Sequence, residues 1–164
     1  MKLEVLQENL NHGLAIISRV LSSKPQIIIL SHVLLAAHDG KLTLTASNQE
    51  TTIVTEIGAK IITPGEFTLP GRTFTEIITS LSAEKILLEL NGSTINIKAG
   101  SFKASVNGTP ATEYPSLIPP SLPKDASWNI SADNFGKAVA KTVFSTATDE
   151  GRAVLTGVLF QPRD

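Results

Sequence analysis

One pattern recurs along this chain and limits the folds open to it: an alternating apolar run, a segment with apolar residues at helical spacing, then three more alternating runs. In the first copy Lys2 to Leu6 reads as a strand, and Leu10, Leu14, Ile17 and Leu21 predict a helix from about Gln7 to Ser22. Strands are then predicted over Ile27 to Ala37, around Leu42, Leu44 and Ala46, and over Thr51 to Ile61, with Asp39-Gly40 as the hairpin turn between the first two. The second copy opens at the Pro64-Gly65 turn. A strand over Glu66 to Leu69 leads to a helix from Arg72 to Ser82, marked by Phe74, Ile77, Ile78 and Leu81. Strands follow at Lys85 to Leu90, Thr94 to Ala99 and Ser101 to Val106, with turns at Asn91-Gly92 and Gly100.

Pro115, Pro119, Pro120 and Pro123 then interrupt any ladder, and the stretch reads as an interdomain linker. Beyond it the opening returns. Ile130, Phe135, Val139, Leu155, Val158, Leu159 and Phe160 stand a constant 125 positions after Val5, Leu10, Leu14, Leu30, Val33, Leu34 and Leu35, and Asn134 and Ala140 repeat Asn9 and Ala15 at the same offset. The chain therefore reads as an array of one supersecondary unit whose third copy holds a helix and one strand, Val154 to Phe160. The expected organisation is a complete domain over residues 1–121, followed by a linker and the incomplete start of a second over 122–164, so that the sequence reads as a fragment.

Composition narrows the function. Fourteen Lys and Arg against fifteen Asp and Glu give a net charge of -1 and a pI of about 6.3, which argues against a domain that coats nucleic acid through bulk positive charge. Apolar residues at 41% and charged residues at 18% exclude the disordered classes. Without cysteine there is no disulfide, thiol nucleophile or Cys-based zinc site, and the composition suits a reducing compartment. The first ten residues carry Glu4 and Glu8 and lack a secretory apolar core, so Met1 is the expected mature N-terminus. The longest apolar stretch, Ile27 to Ala37, is broken by Ser31 and His32 and falls short of the ~20 residues of a membrane span. A cytoplasmic protein without a membrane partner is expected.

No composite catalytic or metal site emerges. His12, His32 and His38 are the only imidazoles, and at the rise of a strand His32 and His38 stand about 20 Å apart, too far to share an ion. Ser31 and His32 are neighbours on a predicted strand and face opposite sides, which excludes a nucleophile and base pair. No phosphate-cradling glycine motif occurs, and Asp149-Glu150 beside Arg152 reads as a solvated turn. The expectation is a non-enzyme with no cofactor and no metal. The predicted helices expose Asn11, His12, Ser18 and Arg19, then Thr73, Thr75, Glu76 and Thr79, then Lys137 and Lys141. On their own these faces read as solvated surface, compatible with a phosphate backbone approached through water and not gripped.

Specific strings add to this reading. Lys24-Pro25 with Ile29-Leu30, Leu44 to Glu50 (LTASNQE), Leu69 to Phe74 (LPGRTF), Glu113 to Pro119 (EYPSLIP) and Thr148 to Phe160 (TDEGRAVLTGVLF) occur in the order and spacing of one family. Through them the chain resembles the bacterial sliding clamp, the beta subunit of DNA polymerase III, over essentially its whole length. It departs from the family at Ile28, Asn48, Gln49 and Ala153, where a proline, an aspartate, an aliphatic residue and often a proline are usual. The resemblance implies an α+β DNA-clamp fold of repeated β-α-β-β-β units, with helices on one face and antiparallel sheets on the other. It further implies a non-catalytic processivity factor: a three-domain subunit that closes head to tail as a homodimer ring around double-stranded DNA when full length.

By the same resemblance Lys24 and Arg72 approach the DNA backbone, and Thr148 lies in a loop that touches DNA, beside Asp149, whose charge is wrong for phosphate. Arg152 and Leu155 correspond to one wall of the pocket that accepts linear motifs of the polymerase III alpha subunit and the clamp loader. Lys103 and Val106 fall on the edge of the first domain that meets the other subunit. Two other readings of the residues stand beside this one, a peptide-binding adaptor that does not encircle DNA and a hydrolase using a histidine. The lack of a composite catalytic site weighs against the hydrolase.

Overall fold

The computed structural model describes residues 1–21, 27–82, 84–115 and 129–161. The chain divides into two compact units, Met1–Ile118 and Pro119–Asp164.

In the first unit β1 (Lys2–Leu6) runs directly into α1 (Gln7–Ile17), which tightens into a 3-10 turn at Ser18–Val20. After a further 3-10 turn at Ile28–Ser31 come β2 (His32–His38), β3 (Lys41–Ser47), β4 (Thr52–Gly58) and β5 (Lys60–Thr63). The second half repeats the order with β6 (Gly65–Pro70), α2 (Gly71–Ser80), β7 (Lys85–Asn91), β8 (Thr94–Ala99), β9 (Phe102–Asn107) and β10 (Thr109–Pro110). The β2–β3 hairpin is set by its turn: Asp39 and Gly40 both take positive φ, 49° and 74°, the backbone that lets a two-residue turn follow the twist of the strands.

The two halves exchange strands. The sheets are ordered β5-β1-β7-β8-β9 and β10-β6-β2-β3-β4, and every pairing is antiparallel. Each half thus sends its first strand into the sheet built by the other, and swapping the halves turns one strand order into the other. The core carries the same symmetry. Leu3, Val5, Leu10, Leu14 and Ile17 correspond at one constant spacing to Phe67, Leu69, Phe74, Ile78 and Leu81, and Val33, Leu35, Leu42, Leu44 and Ala46 correspond at another to Ile86, Leu88, Ile95, Ile97 and Ala99. All are buried. Burying one Leu, Ile or Phe side chain contributes roughly 1.5–3 kcal/mol, so this doubled set is the main source of stability.

Several expectations need correction. The predicted strand Thr51 to Ile61 is two strands in different sheets: β4 pairs with β3 and β5 with β1, and at the crossing Ala59 N–H donates to the Gly40 carbonyl, 3.0 Å. The first part of the predicted strand from Ile27 is the 3-10 turn Ile28–Ser31, closed by Ser31 Oγ donating to the Ile28 carbonyl, 2.7 Å. Ser31 is therefore not a strand residue, although His32 is.

In the second unit α3 (Ala132–Thr142) and a 3-10 turn at Val143–Ser145 form as the repeat predicts a helix, but the predicted strand Val154 to Phe160 does not. Two short 3-10 turns joined across a kink at Arg152 span Glu150–Thr156, and residues 157–160 form no regular element. No strand occurs among the described residues of this unit, so a strand there would have no ladder to join. Val154 and Leu159 are 91% and 88% exposed, while Phe135 and Phe160 stack with ring centroids 5.3 Å apart.

Candidate functional site

The strand exchange brings α1 and α2 side by side, α1 resting on β3 and β4 and α2 on β2 and β6. Their apolar stripes, Leu10, Leu14 and Ile17 on one and Phe74 and Ile78 on the other, turn into the core. Most polar residues are left outward, but Thr75, expected to be exposed, is half-buried. Gly71, buried at the start of α2, is required there by crowding: a Cβ would stand 2.5 Å from Leu21 Cδ1 and 3.0 Å from Val33 Cγ2. The next residue is Arg72, whose side chain is 84% exposed.

Arg72 does not stand free. Its Nε donates to Glu76 Oε1, one helical turn on, at 3.0 Å. Beside this pair lies a cavity of about 660 Å³ lined by Ser18, Leu21, Ser31, Thr75, Thr79 and Ser80 as well as Arg72 and Glu76. Most of its hydroxyls are already engaged. Ser18 Oγ donates to the Ala15 carbonyl (3.1 Å), Ser80 Oγ to the Ile77 carbonyl (2.7 Å) and Thr79 Oγ1 to Asn11 Oδ1 (3.0 Å), a bond that joins α2 to α1. Thr75 Oγ1 is buried without a hydrogen-bond partner. Most hydroxyls of this face are thus committed within the protein.

Of the residues expected near DNA, Arg72 is the one placed on this face. Lys24 lies outside the described residues. Thr148 is exposed in the second unit, next to Asp149, whose Oδ1 accepts from the Gly151 N–H at 3.0 Å and caps the following 3-10 segment. Arg152 and Leu155 are brought together there: both are exposed, and with Ala147, Asp149 and Gly151 they line a shallow cavity of about 280 Å³. Arg152 is the kink in the segment, at φ -137° and ψ 83°, and Ala147 N–H donates to the Leu155 carbonyl at 2.9 Å. Leu155 also borders a second cavity of about 370 Å³ with Thr142, Val154 and Leu159.

Lys103 and Val106 share β9, the edge of its sheet, but face opposite ways. Lys103 is exposed opposite Lys98, whereas Val106 is buried opposite Ile95. An interface along this edge would therefore meet Val106 through its backbone and Lys103 through its side chain. The Arg72–Glu76 pair was not singled out from sequence, although its i,i+4 spacing is the readable signal for it. The bond from Thr79 to Asn11 joins residues far apart in the chain and leaves no such signal.

Among the described residues no group of three or more His, Asp or Glu side chains is arranged to hold a metal ion. No helix among them is long and apolar enough to cross a membrane.

Residues 1–118 match the family model described as DNA polymerase III beta subunit, N-terminal domain. The chain is 33% identical over 161 residues to the beta sliding clamp of Synechococcus elongatus, covering 96% of this chain and 42% of that protein. It is 29% identical over 167 residues to the beta sliding clamp of Bacillus subtilis, covering 96% and 44%. Among solved structures, the DNA polymerase sliding clamp of Caulobacter crescentus superposes with a TM-score of 0.87 at 28% identity, over 96% of this chain and 43% of that one. The chain spans about two fifths of the length of the curated relatives it matches.

Proposed function

The chain belongs to the family of the DNA polymerase III beta subunit, N-terminal domain, and from that premise we propose that it is the opening part of a ring-forming subunit that encircles duplex DNA and tethers the replicative polymerase. In this reading residues 1–121 are the first domain, residues 122–164 are the linker and the start of the second, and the subunit works as a homodimer ring without catalysis. The observation that carries the reading is the agreement in fold with a solved sliding clamp over 96% of the chain.

The face formed by α1 and α2 supports it physically. A ring holds DNA by linkage, so the surface toward the duplex needs only weak contacts, and weak contacts permit sliding. Arg72 already paired with Glu76, and hydroxyls already bonded within the protein, are what such a surface requires. Lys24 and Thr148 complete the proposed DNA-facing set. Arg152 and Leu155 form one wall of the proposed pocket for linear motifs of the polymerase and clamp loader, and the β9 edge with Lys103 and Val106 is the proposed contact with the second subunit.

The experiment is a titration of this chain with linear duplex DNA of several sequences at low and moderate salt. Weak, sequence-independent, salt-sensitive binding is expected, because an open fragment has contacts but no linkage. Tight or sequence-selective binding would overturn the reading.

A further inference from the structure

We infer that Glu76 sets how strongly Arg72 can hold a phosphate, so that the carboxylate is a built-in limiter of DNA grip. The inference rests on the reading that the α1–α2 face meets duplex DNA, and goes beyond it by assigning a role to a residue that would otherwise be plain surface.

The argument starts from the charges on this face. Among the described residues of α1 and α2 and the turn after α1, the cationic side chains are Arg19 and Arg72. No carboxylate among the described residues pairs with Arg19, whereas Arg72 gives its Nε to Glu76 at 3.0 Å. The carboxylate has no other hydrogen-bond donor among the described residues, so its charge is directed at this guanidinium. The pair uses one of the five guanidinium N–H donors of a side chain that is 84% exposed, so Arg72 can touch a phosphate oxygen without breaking the pair. The phosphate then meets a neutral pair, not a cation, and the carboxylate itself repels it. Such a contact positions the duplex but releases little bound counterion, so it adds little to affinity or to its salt dependence.

Glu76→Gln isolates the charge, because the amide oxygen still accepts from Nε while the negative charge is gone. Residue 76 is exposed, so the fold is kept. Binding of the 164-residue chain to a linear duplex is measured by fluorescence anisotropy over a salt series, for wild type, Glu76→Gln, Arg72→Ala, Arg19→Ala and the two double variants. Glu76→Gln should tighten binding about threefold at low salt and steepen the log–log salt slope by up to about one, the share of one phosphate newly met by a full positive charge. The gain should persist in the Arg19→Ala background and fall to less than half in the Arg72→Ala background.

Equal gains in every background would mean that net charge alone matters and would overturn the inference. Binding that falls with Arg72→Ala but does not respond to Glu76→Gln would also overturn it, while leaving the DNA-facing assignment of Arg72 intact. If no variant binds duplex at the lowest salt, the assignment of this face to DNA falls, and the inference with it.

Discussion

Thr79 on α2 donates its hydroxyl proton to Asn11 Oδ1 on α1 across 3.0 Å, a side-chain bond between the two helices that form the proposed DNA-facing surface. Both residues are near solvent, so the bond contributes little to stability. Thr79→Val should lower the unfolding free energy by about 0.5–1 kcal/mol, with Asn11→Ala costing a similar amount and the double variant no more than either alone. Urea unfolding of the four proteins measures this, and additive losses would show that the bond is not shared in solution.

Gly71 carries more weight. An alanine there would place its Cβ against Leu21, whose flexible end can turn away, and against Val33, which is branched at Cβ and cannot. Gly71→Ala should destabilise the first unit by about 1–2 kcal/mol through overpacking, in spite of the better helix propensity of alanine. Thermal unfolding is the readout. A rise in stability would mean that α2 can lift from β2 at no cost.

A pH effect follows from His32. Thr68 Oγ1 gives its proton to the Thr109 carbonyl (2.8 Å) and so offers its oxygen to His32 Nδ1 (3.1 Å), while burial holds the imidazole below its usual pKa against a smaller upward pull from Glu113. A histidine whose pKa is lower folded than unfolded stabilises the fold most above its unfolded value and loses that contribution as the pH falls. Stability should therefore decline below about pH 6.5, and His32→Asn should flatten part of the decline. Denaturation midpoints from pH 7.5 to 5 compare the two proteins, and parallel curves would remove His32 from the account.

The edge strand β9 separates core from interface. Val106→Ala should cost about 1–2 kcal/mol of stability, because Val106 is buried against Ile95, whereas Lys103→Ala should leave unfolding within about 0.5 kcal/mol. In a subunit of the relatives' length that carries this sequence, Lys103→Glu should weaken the dimer at unchanged fold, measured by sedimentation. An unchanged dimer would remove Lys103 from the proposed contact.

Much of the fold was legible because each signal was local. Asp39-Gly40 marks its hairpin, and Leu10, Leu14, Phe74 and Ile78 mark the buried stripes of two helices. The crossing at Ala59 was not legible, since Ile53, Thr55, Ile57, Ala59 and Ile61 keep one unbroken alternation of burial while the chain changes sheets. The apolar run at Val154 misled for the opposite reason, because a strand needs a partner and periodicity does not report one. At the site, Arg72 acquired a role only through resemblance to a family. The i,i+4 spacing of Arg72 and Glu76 is the readable sign of their pair, whereas the bond from Thr79 to Asn11, between residues far apart in the chain, became visible only in three dimensions.

Whether the proposed ring holds DNA by linkage or by affinity is decided on circular DNA. A subunit of the relatives' length carrying this sequence is loaded on nicked circular duplex and passed through gel filtration at salt high enough to abolish ordinary phosphate contacts, before and after the circle is cut. The protein is expected to elute with the circle and to leave it on linearisation. Protein that stays on the open linear duplex at that salt would mean that affinity holds it.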